Sequence, residues 1–312
     1  MESKKVVHLM YTPFTGLGLY DGFRGDRWLR NRIQIFKQFV YPSLMNQTVH
    51  DFVLWVSWRH QERTNLIVRE FRVWLEEHCP FKVVFTYAGV CFWDDKYDDE
   101  TARIRLVDAV HGSMGVLLNE ALGDAEEVLM TIQPSDDCYV GYMVQGLQSM
   151  FRELGDNVQA MGFKKGYVMD YTTKALMEWN PTTIPPFFTI KFPREVFTDP
   201  LKHVDFTGPY KSHEYIGEKL KFLPIEERGF LVGTHGSNIS TVFDHPFSSP
   251  LSSETEKEVL SAFGLHNVEP LKTSWSIQSV FFHKLPYSIK RKLRYWSEHS
   301  TVFSWVYNFL RS

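Results

Sequence analysis

The sequence predicts an α/β fold, a GT-A-like or Rossmann-type, mostly parallel sheet flanked by helices, with a helical carboxyl-terminal extension. Three observations point there. Short β-branched or aromatic runs alternate with segments whose apolar residues recur every three or four positions. Most glycine and proline clusters fall between these segments. At 312 residues the chain suits one large α/β unit or two modest domains.

Val6 to Tyr11 reads as the first strand, ending at Thr12-Pro13 before a glycine-rich excursion through Gly16, Gly18, Gly22 and Gly25. Leu29, Ile33, Phe36 and Val40 then share one face of a helix that Pro42 is expected to end. Phe52 to Val56 and Phe81 to Tyr87 have strand composition, and Glu62 to His78 between them is rich in helix formers. Thr101 to Leu122 reads as a long helix, in which Gly112 and Gly115 suggest close packing onto the sheet. Val128 to Ile132 is a fourth strand running into Gln133-Pro134-Ser135-Asp136-Asp137, with a helix expected over Tyr139 to Leu154. Sheets of this kind bind ligands at the carboxyl ends of their strands. Beyond Gly155 the rhythm is irregular, with a hairpin expected over Met161 to Met169.

Composition narrows the class. Apolar residues make up 44%, charged residues 23% and aromatics 15%, which excludes a disordered or low-complexity chain. A formal charge of −3 argues against a dedicated nucleic-acid binder. Cys79, Cys91 and Cys138 form neither a disulfide framework nor a zinc motif, which suits a reducing compartment. The expected location is the cytoplasm, with a peripheral site on the inner membrane face. The apolar stretches at 83–93 and 301–310 are shorter than the ~18 residues that span a bilayer.

The first chemical candidate is Asp136-Asp137 at the end of the fourth strand. Adjacent carboxylates raise each other's pKa unless a positive charge lies near, and a divalent cation would supply it. The plainer reading is a turn, or a cap for the following helix. Context favours chemistry. Asn119 at the preceding helix end lies 17 positions before Asp136, with a short acidic turn and an apolar strand between. This resembles nucleotide-sugar glycosyltransferases of the GT-A fold, where an Asn-x-Gly-Leu helix end leads through a strand into Asp-x-Asp-Asp. Ala121 stands where that family has Gly, and Pro134 where it has the first Asp. The resemblance implies a donor-binding role for Asn119 and Asp136, and Mn²⁺ or Mg²⁺ on Asp136 and Asp137. Pro134 leaves the ribose-holding role unassigned.

Near the amino terminus, Trp28-Leu29, Arg32, Phe36, Pro42-Ser43, Gln47-Thr48 and Phe52 follow one another at spacings similar to those of the rhamnosyltransferase branch. Most of these positions suit packing. Arg32 is open to two readings, a salt bridge or a contact to a diphosphate. Thr12 keeps the family's position at the end of the first strand, where Pro13 replaces its arginine. The resemblance places Thr12 and Arg32 at the donor.

Two further motifs lie toward the carboxyl end. In Thr234-His235-Gly236-Ser237-Asn238 the imidazole suits Mn²⁺, and the rhamnosyltransferase branch carries a similar His-Gly-x-Asn, so the resemblance makes His235 a third metal ligand, with Asn238 ordering the loop. Glu214, in Ser212-His213-Glu214-Tyr215, precedes His235 by 21 positions. Inverting GT-A enzymes place the general base at such a position. His213 and Asp205 compete with it, and a helix cap formed by Ser212 is the plainer account.

The aromatic surplus fits core packing, with Trp93, Trp179 and Phe187 as alternative sugar platforms. Lys284 to Arg294 holds five basic residues and no acid, and aromatics follow to Phe309. That stretch reads as a docking helix or as an interfacial helix on an anionic membrane. The expectation is a metal-dependent, inverting glycosyltransferase moving a sugar, rhamnose by family label, from a nucleoside-diphosphate sugar to a glycan or glycolipid hydroxyl. Its domain would span 1–240, with a nucleotide half to about 155 and an acceptor half beyond, and 241–312 as extension. The alternatives are a glycan-binding scaffold on a degenerate transferase fold and a transferase acting on modified DNA bases.

Overall fold

A computed structural model describes residues 4–15, 25–87, 111–202, 213–235, 248–272 and 285–311, with residues 238, 243 and 281. The glycine-rich excursion at 16–24, Cys91, Trp93, residues 101–110 of the long helix, Asp205, Ser212, Gly236 and Ser237 lie outside the described residues.

In chain order the amino-terminal half holds β1 (Val6–Pro13), α1 (Asp26–Ile35), α2 (Tyr41–Met45), β2 (Val53–Trp58), α3 (Leu66–His78), β3 (Lys82–Tyr87), α4 (111–117) and β4 (Glu127–Ile132). β3, β2, β1 and β4 lie side by side and run parallel. Residues on each strand alternate between two cores. Met10, Leu54, Val56 and Leu129 face one side with α1 and α3; Leu9, Tyr11, Val53, Trp55, Val128 and Met130 face the other with Met114 and Leu117 of α4. A sheet greasy on both faces must be covered on both, which is the expected α/β architecture.

The second half holds β5 (Cys138–Tyr139), α5 (Met143–Leu154), β6 (Ala160–Asp170), β7 (Leu176–Trp179), β8 (Phe188–Pro193), β9 (Phe222–Thr234), β10 (Ser248–Pro250) and α6 (Ser253–Ala262). Here the sheet becomes mixed. β8 joins β4 antiparallel, β6 follows it, and β9 runs parallel to β6 while pairing β5 antiparallel. β10 closes the order against β7, and Phe263, Leu265, Val268 and Leu271 enter the main core. Residues 248–272 therefore pack with the body of the protein. α7 (Tyr287–His299) and α8 (Thr301–Arg311) follow.

Several local expectations are corrected. Pro42 does not end its helix: a π-turn, Phe36–Val40, widens the spiral so that Tyr41 N–H bonds Phe36 five residues back, and α2 continues through the proline. Met161 to Met169 is not a hairpin but part of one eleven-residue strand. Its Gly166 packs where an added Cβ would overlap Phe230, so the glycine serves close strand approach. Gly112 and Gly115 show the opposite, since among the described residues nothing lies within 4 Å of a Cβ at either. The helix after the acidic pair begins at Met143, so Asp136 and Asp137 are not its cap. Phe187 is core, stacked on Phe230 at 4.0 Å, and Trp179 is half-buried edge-on to the same ring.

Candidate functional site

The carboxyl edge of the parallel strands is built from three separate stretches. Thr12 lies near the end of β1, in register with Val56. Gln133 follows β4 and donates its backbone N–H to the Tyr11 carbonyl at 2.7 Å, which sets the start of the Pro134–Asp137 connection beside β1. β9 ends at Thr234, in register with Asp170 at the end of β6. Among the described residues the buried Thr12 Oγ1 and Gln133 Oε1 have no hydrogen-bond partner, so this edge holds polar capacity that the fold does not use.

Arg32, Asp136 and His235 converge there. α1 buries Arg32 on the face that also seats Trp28, Leu29 and Ile33. Its guanidinium forms an ion pair with Asp136 Oδ2, the two side chains being 1% and 11% exposed. His235, fully buried, contacts the same oxygen through Nε2 at 2.9 Å. Asp137 turns elsewhere: its Oδ1 accepts the backbone N–H of Gly233 at 3.0 Å. The supporting contacts are dense. Tyr171, stacked on Phe39 at 3.6 Å, donates its hydroxyl to the Asp136 carbonyl at 2.8 Å. Gln133 Nε2 donates to the Asp137 carbonyl at 2.8 Å. Asn238 lies against the end of β9, accepting from His235 N–H at 2.8 Å and donating to the Gly233 carbonyl.

The electrostatics separate the two carboxyls. Burial alone would raise Asp136, but the Arg32 charge and the His235 hydrogen bond outweigh it and hold the carboxyl below its ordinary range. Burial first, and the Asp136 charge second, push Asp137 well above that range. The pair's negative charge is thus concentrated on Asp136. Burial also lowers His235, against its contact with Asp136, and favours neutral imidazole.

This bears on the expected metal. Asp136 Oδ2 already serves Arg32 and His235, and Asp137 Oδ1 serves Gly233. Among the described residues no group of three His, Cys, Asp or Glu side chains converges on a common point. As arranged, these residues do not fit a divalent ion held by Asp136, Asp137 and His235 together; the cation at Asp136 is a guanidinium.

The other expected donor and catalytic residues are less closely joined. Asn119 is exposed on a π-turn, Leu118–Leu122, that leads into the amino end of β4, where Glu126 and Glu127 bond the Lys5 carbonyl. That is the edge opposite Thr12 and Asp136, so Asn119 is not part of the cluster. Glu214 is exposed on a short turn, His213–Tyr215, and accepts from Thr183 Oγ1 at 3.4 Å, while the His213 ring contacts the Ile184 carbonyl at 2.6 Å. Thr183 and Ile184 precede β8, which enters the sheet with Thr189 beside Thr131 near the carboxyl end of β4. Glu214 is therefore held beside the entry to β8, and its described contact is Thr183.

Sequence reasoning missed Tyr171 and Gln133, which donate to the Asp136 and Asp137 carbonyls, and Gly233, whose N–H donates to the Asp137 side chain. It also missed Glu62, buried on the 3-10 turn His60–Thr64 that follows β2, whose carboxylate accepts from Thr15 Oγ1 and, at 3.2 Å, from Arg59 N–H. Burial raises the Glu62 carboxyl despite these bonds. Only the Gly beside Thr234-His235 carried a usable signal, as a backbone position able to approach another chain closely.

No protein-family model matches the chain, and no curated protein matches it. Among solved structures it is similar to residues 1–349 of TarS from S. aureus, at 12% identity and a TM-score of 0.36, over 92% of this chain and 78% of that one. A second TarS structure is similar at 12% identity and a TM-score of 0.34, over 91% of this chain and 46% of that one. CMP:2-keto-3-deoxy-manno-octonic acid synthetase complexed with CTP is similar at 10% identity and a TM-score of 0.31, over 76% of this chain and 93% of that one.

Proposed function

We propose that the protein is a glycosyltransferase that takes a sugar from a nucleoside-diphosphate donor and passes it to a glycan or glycolipid hydroxyl. The observation that carries this reading is the convergence of Arg32, Asp136 and His235 at the carboxyl edge of a doubly covered parallel sheet, the edge where such sheets hold ligands. The unused polar atoms of Thr12 and Gln133 lie at the same edge.

In this reading Arg32 supplies the positive charge met by the leaving diphosphate. A guanidinium has five N–H donors in a planar fork, so it can serve Asp136 and phosphate oxygens together. Asp136 holds the fork in place, His235 holds Asp136, and Tyr171 and Gln133 fix the backbone beneath. Charge that develops on the bridging oxygen as the glycosidic bond breaks is stabilised by that preset cation. Glu214 takes the proton of the acceptor hydroxyl, whose oxygen forms the new bond to the anomeric carbon from the face opposite the diphosphate. The product has inverted configuration; retention would remove Glu214 from this role. Rhamnose as the sugar rests on the resemblance of the amino-terminal motif alone, and the divalent ion expected from that resemblance has no step here.

Thermal unfolding across a panel of nucleoside-diphosphate sugars tests the reading. One nucleobase series should raise the midpoint, free sugars should not, and Asp136→Ala should abolish the rise. The contacts that Arg32, Asp136 and His235 make among themselves favour a second reading, a glycan-binding protein on a transferase scaffold. That reading predicts stabilisation by glycans and none by nucleotides.

A further inference from the structure

We propose that α7 and α8 form a docking hairpin for an anionic lipid surface. The two helices pack on each other, with the Trp296 and Phe303 rings 5.4 Å apart across the bend. Among the described side chains, six large apolar ones are exposed on the two helices. Trp305 is 69% exposed, Val302 68%, Tyr295 58%, Trp296 45%, Ile289 43% and Phe303 42%. Ile289 and Trp296 are seven positions apart on α7, which places them on one face two turns apart. Trp305 and Val302 lie three apart on α8, likewise on one face.

Charge identifies the occupant. Over 287–311 the sequence carries Lys290, Arg291, Lys292, Arg294 and Arg311 against one acid, Glu298, in a chain whose net charge is −3. Basic residues interleaved with tryptophan and tyrosine match a membrane interface, where rings sit at the headgroup level and cations meet anionic lipid. A second copy of the chain fits less well, because it would bring two basic segments together. Neither helix spans a bilayer: they have 13 and 11 residues, and among the described residues none is long and apolar enough to cross one. The hairpin therefore lies in the plane of the surface. This inference does not depend on the transferase reading.

Flotation of the full chain with phosphatidylcholine vesicles, with and without phosphatidylglycerol, tests it. Binding should be at least about 10-fold stronger with the anionic lipid and weaken steeply with salt. The combined variant Trp296→Ala/Phe303→Ala/Trp305→Ala should lose binding to both vesicles. Lys290→Glu/Lys292→Glu/Arg294→Glu should lose the anionic preference. Circular dichroism and thermal unfolding establish that each variant keeps the fold. Equal flotation with both vesicles, or none, overturns the proposal. So does self-association in sedimentation velocity, or salt-dependent retention of DNA, that the aromatic variant removes while flotation is unchanged.

Discussion

The guanidinium of Arg32 and the carboxylate of Asp136 meet inside the protein, although 104 positions separate them in the chain and they arise from a helix and a strand connection. A buried pair of this kind is costly to break from one side, because the remaining charge has no water to receive it. Arg32→Met and Asp136→Asn should each destabilise the fold by about 3–5 kcal/mol. The double variant should cost less than their sum by about 0.5–3 kcal/mol. Urea unfolding of the four proteins measures the coupling; strict additivity would show that the pair does not act as a unit.

Gly233 sits under the same pair. A Cβ there would overlap the Tyr171 ring and approach the Asp136 carbonyl oxygen to 2.6 Å. Gly233→Ala should therefore lower stability by about 1–3 kcal/mol. It should also weaken nucleotide binding, since it shifts the backbone that presents Asp136. Thermal unfolding with and without the donor reads both effects.

His8 offers a pH signature away from the site. It is buried within the sheet, with Nε2 at 2.7 Å from Thr131 Oγ1, and burial lowers its pKa from 6.5 to about 3. Between those values the unfolded chain binds a proton that the folded chain does not. Stability from this group is complete above pH 6.5 and is lost as pH falls toward 3. His8→Gln should flatten the pH dependence of unfolding in that window by up to about 1.4 kcal/mol per pH unit. An unchanged slope in urea titrations at several pH values would exclude a buried neutral histidine.

Glu214 is the proposed base and lies outside the Arg32 cluster, which separates chemistry from donor binding. Glu214→Gln should reduce sugar transfer by about 10²-fold or more while leaving donor-induced stabilisation intact. Loss of both together would assign Glu214 to binding instead.

The sheet was legible because its strands announce themselves. Val53, Trp55, Leu54 and Val56 form a continuous apolar run that only a doubly covered strand accommodates, and the four parallel strands follow from such runs. Asp136 and His235 were legible as members of one site, and a salt bridge was one reading of Arg32, but the direct contacts of Arg32 and His235 with the same Asp136 oxygen were not. Nothing in local pattern shows that the Arg32 guanidinium reaches Asp136. Asn119 illustrates the same limit, since a spacing of 17 residues does not say which edge of the sheet a helix end reaches. The helix through Pro42 was misread because a π-turn relieves the proline clash and leaves no sequence mark.

The proposed function turns on Arg32, paired with Asp136, holding the donor diphosphate. Calorimetric titration of the cognate nucleoside diphosphate into the protein in EDTA, for wild type and Arg32→Lys, tests it most directly. The account predicts binding in EDTA that the lysine variant weakens at least about 10-fold, because a point charge cannot serve carboxylate and phosphate as a fork does. Binding that appears only with Mn²⁺ or Mg²⁺, at equal strength in both proteins, would contradict it.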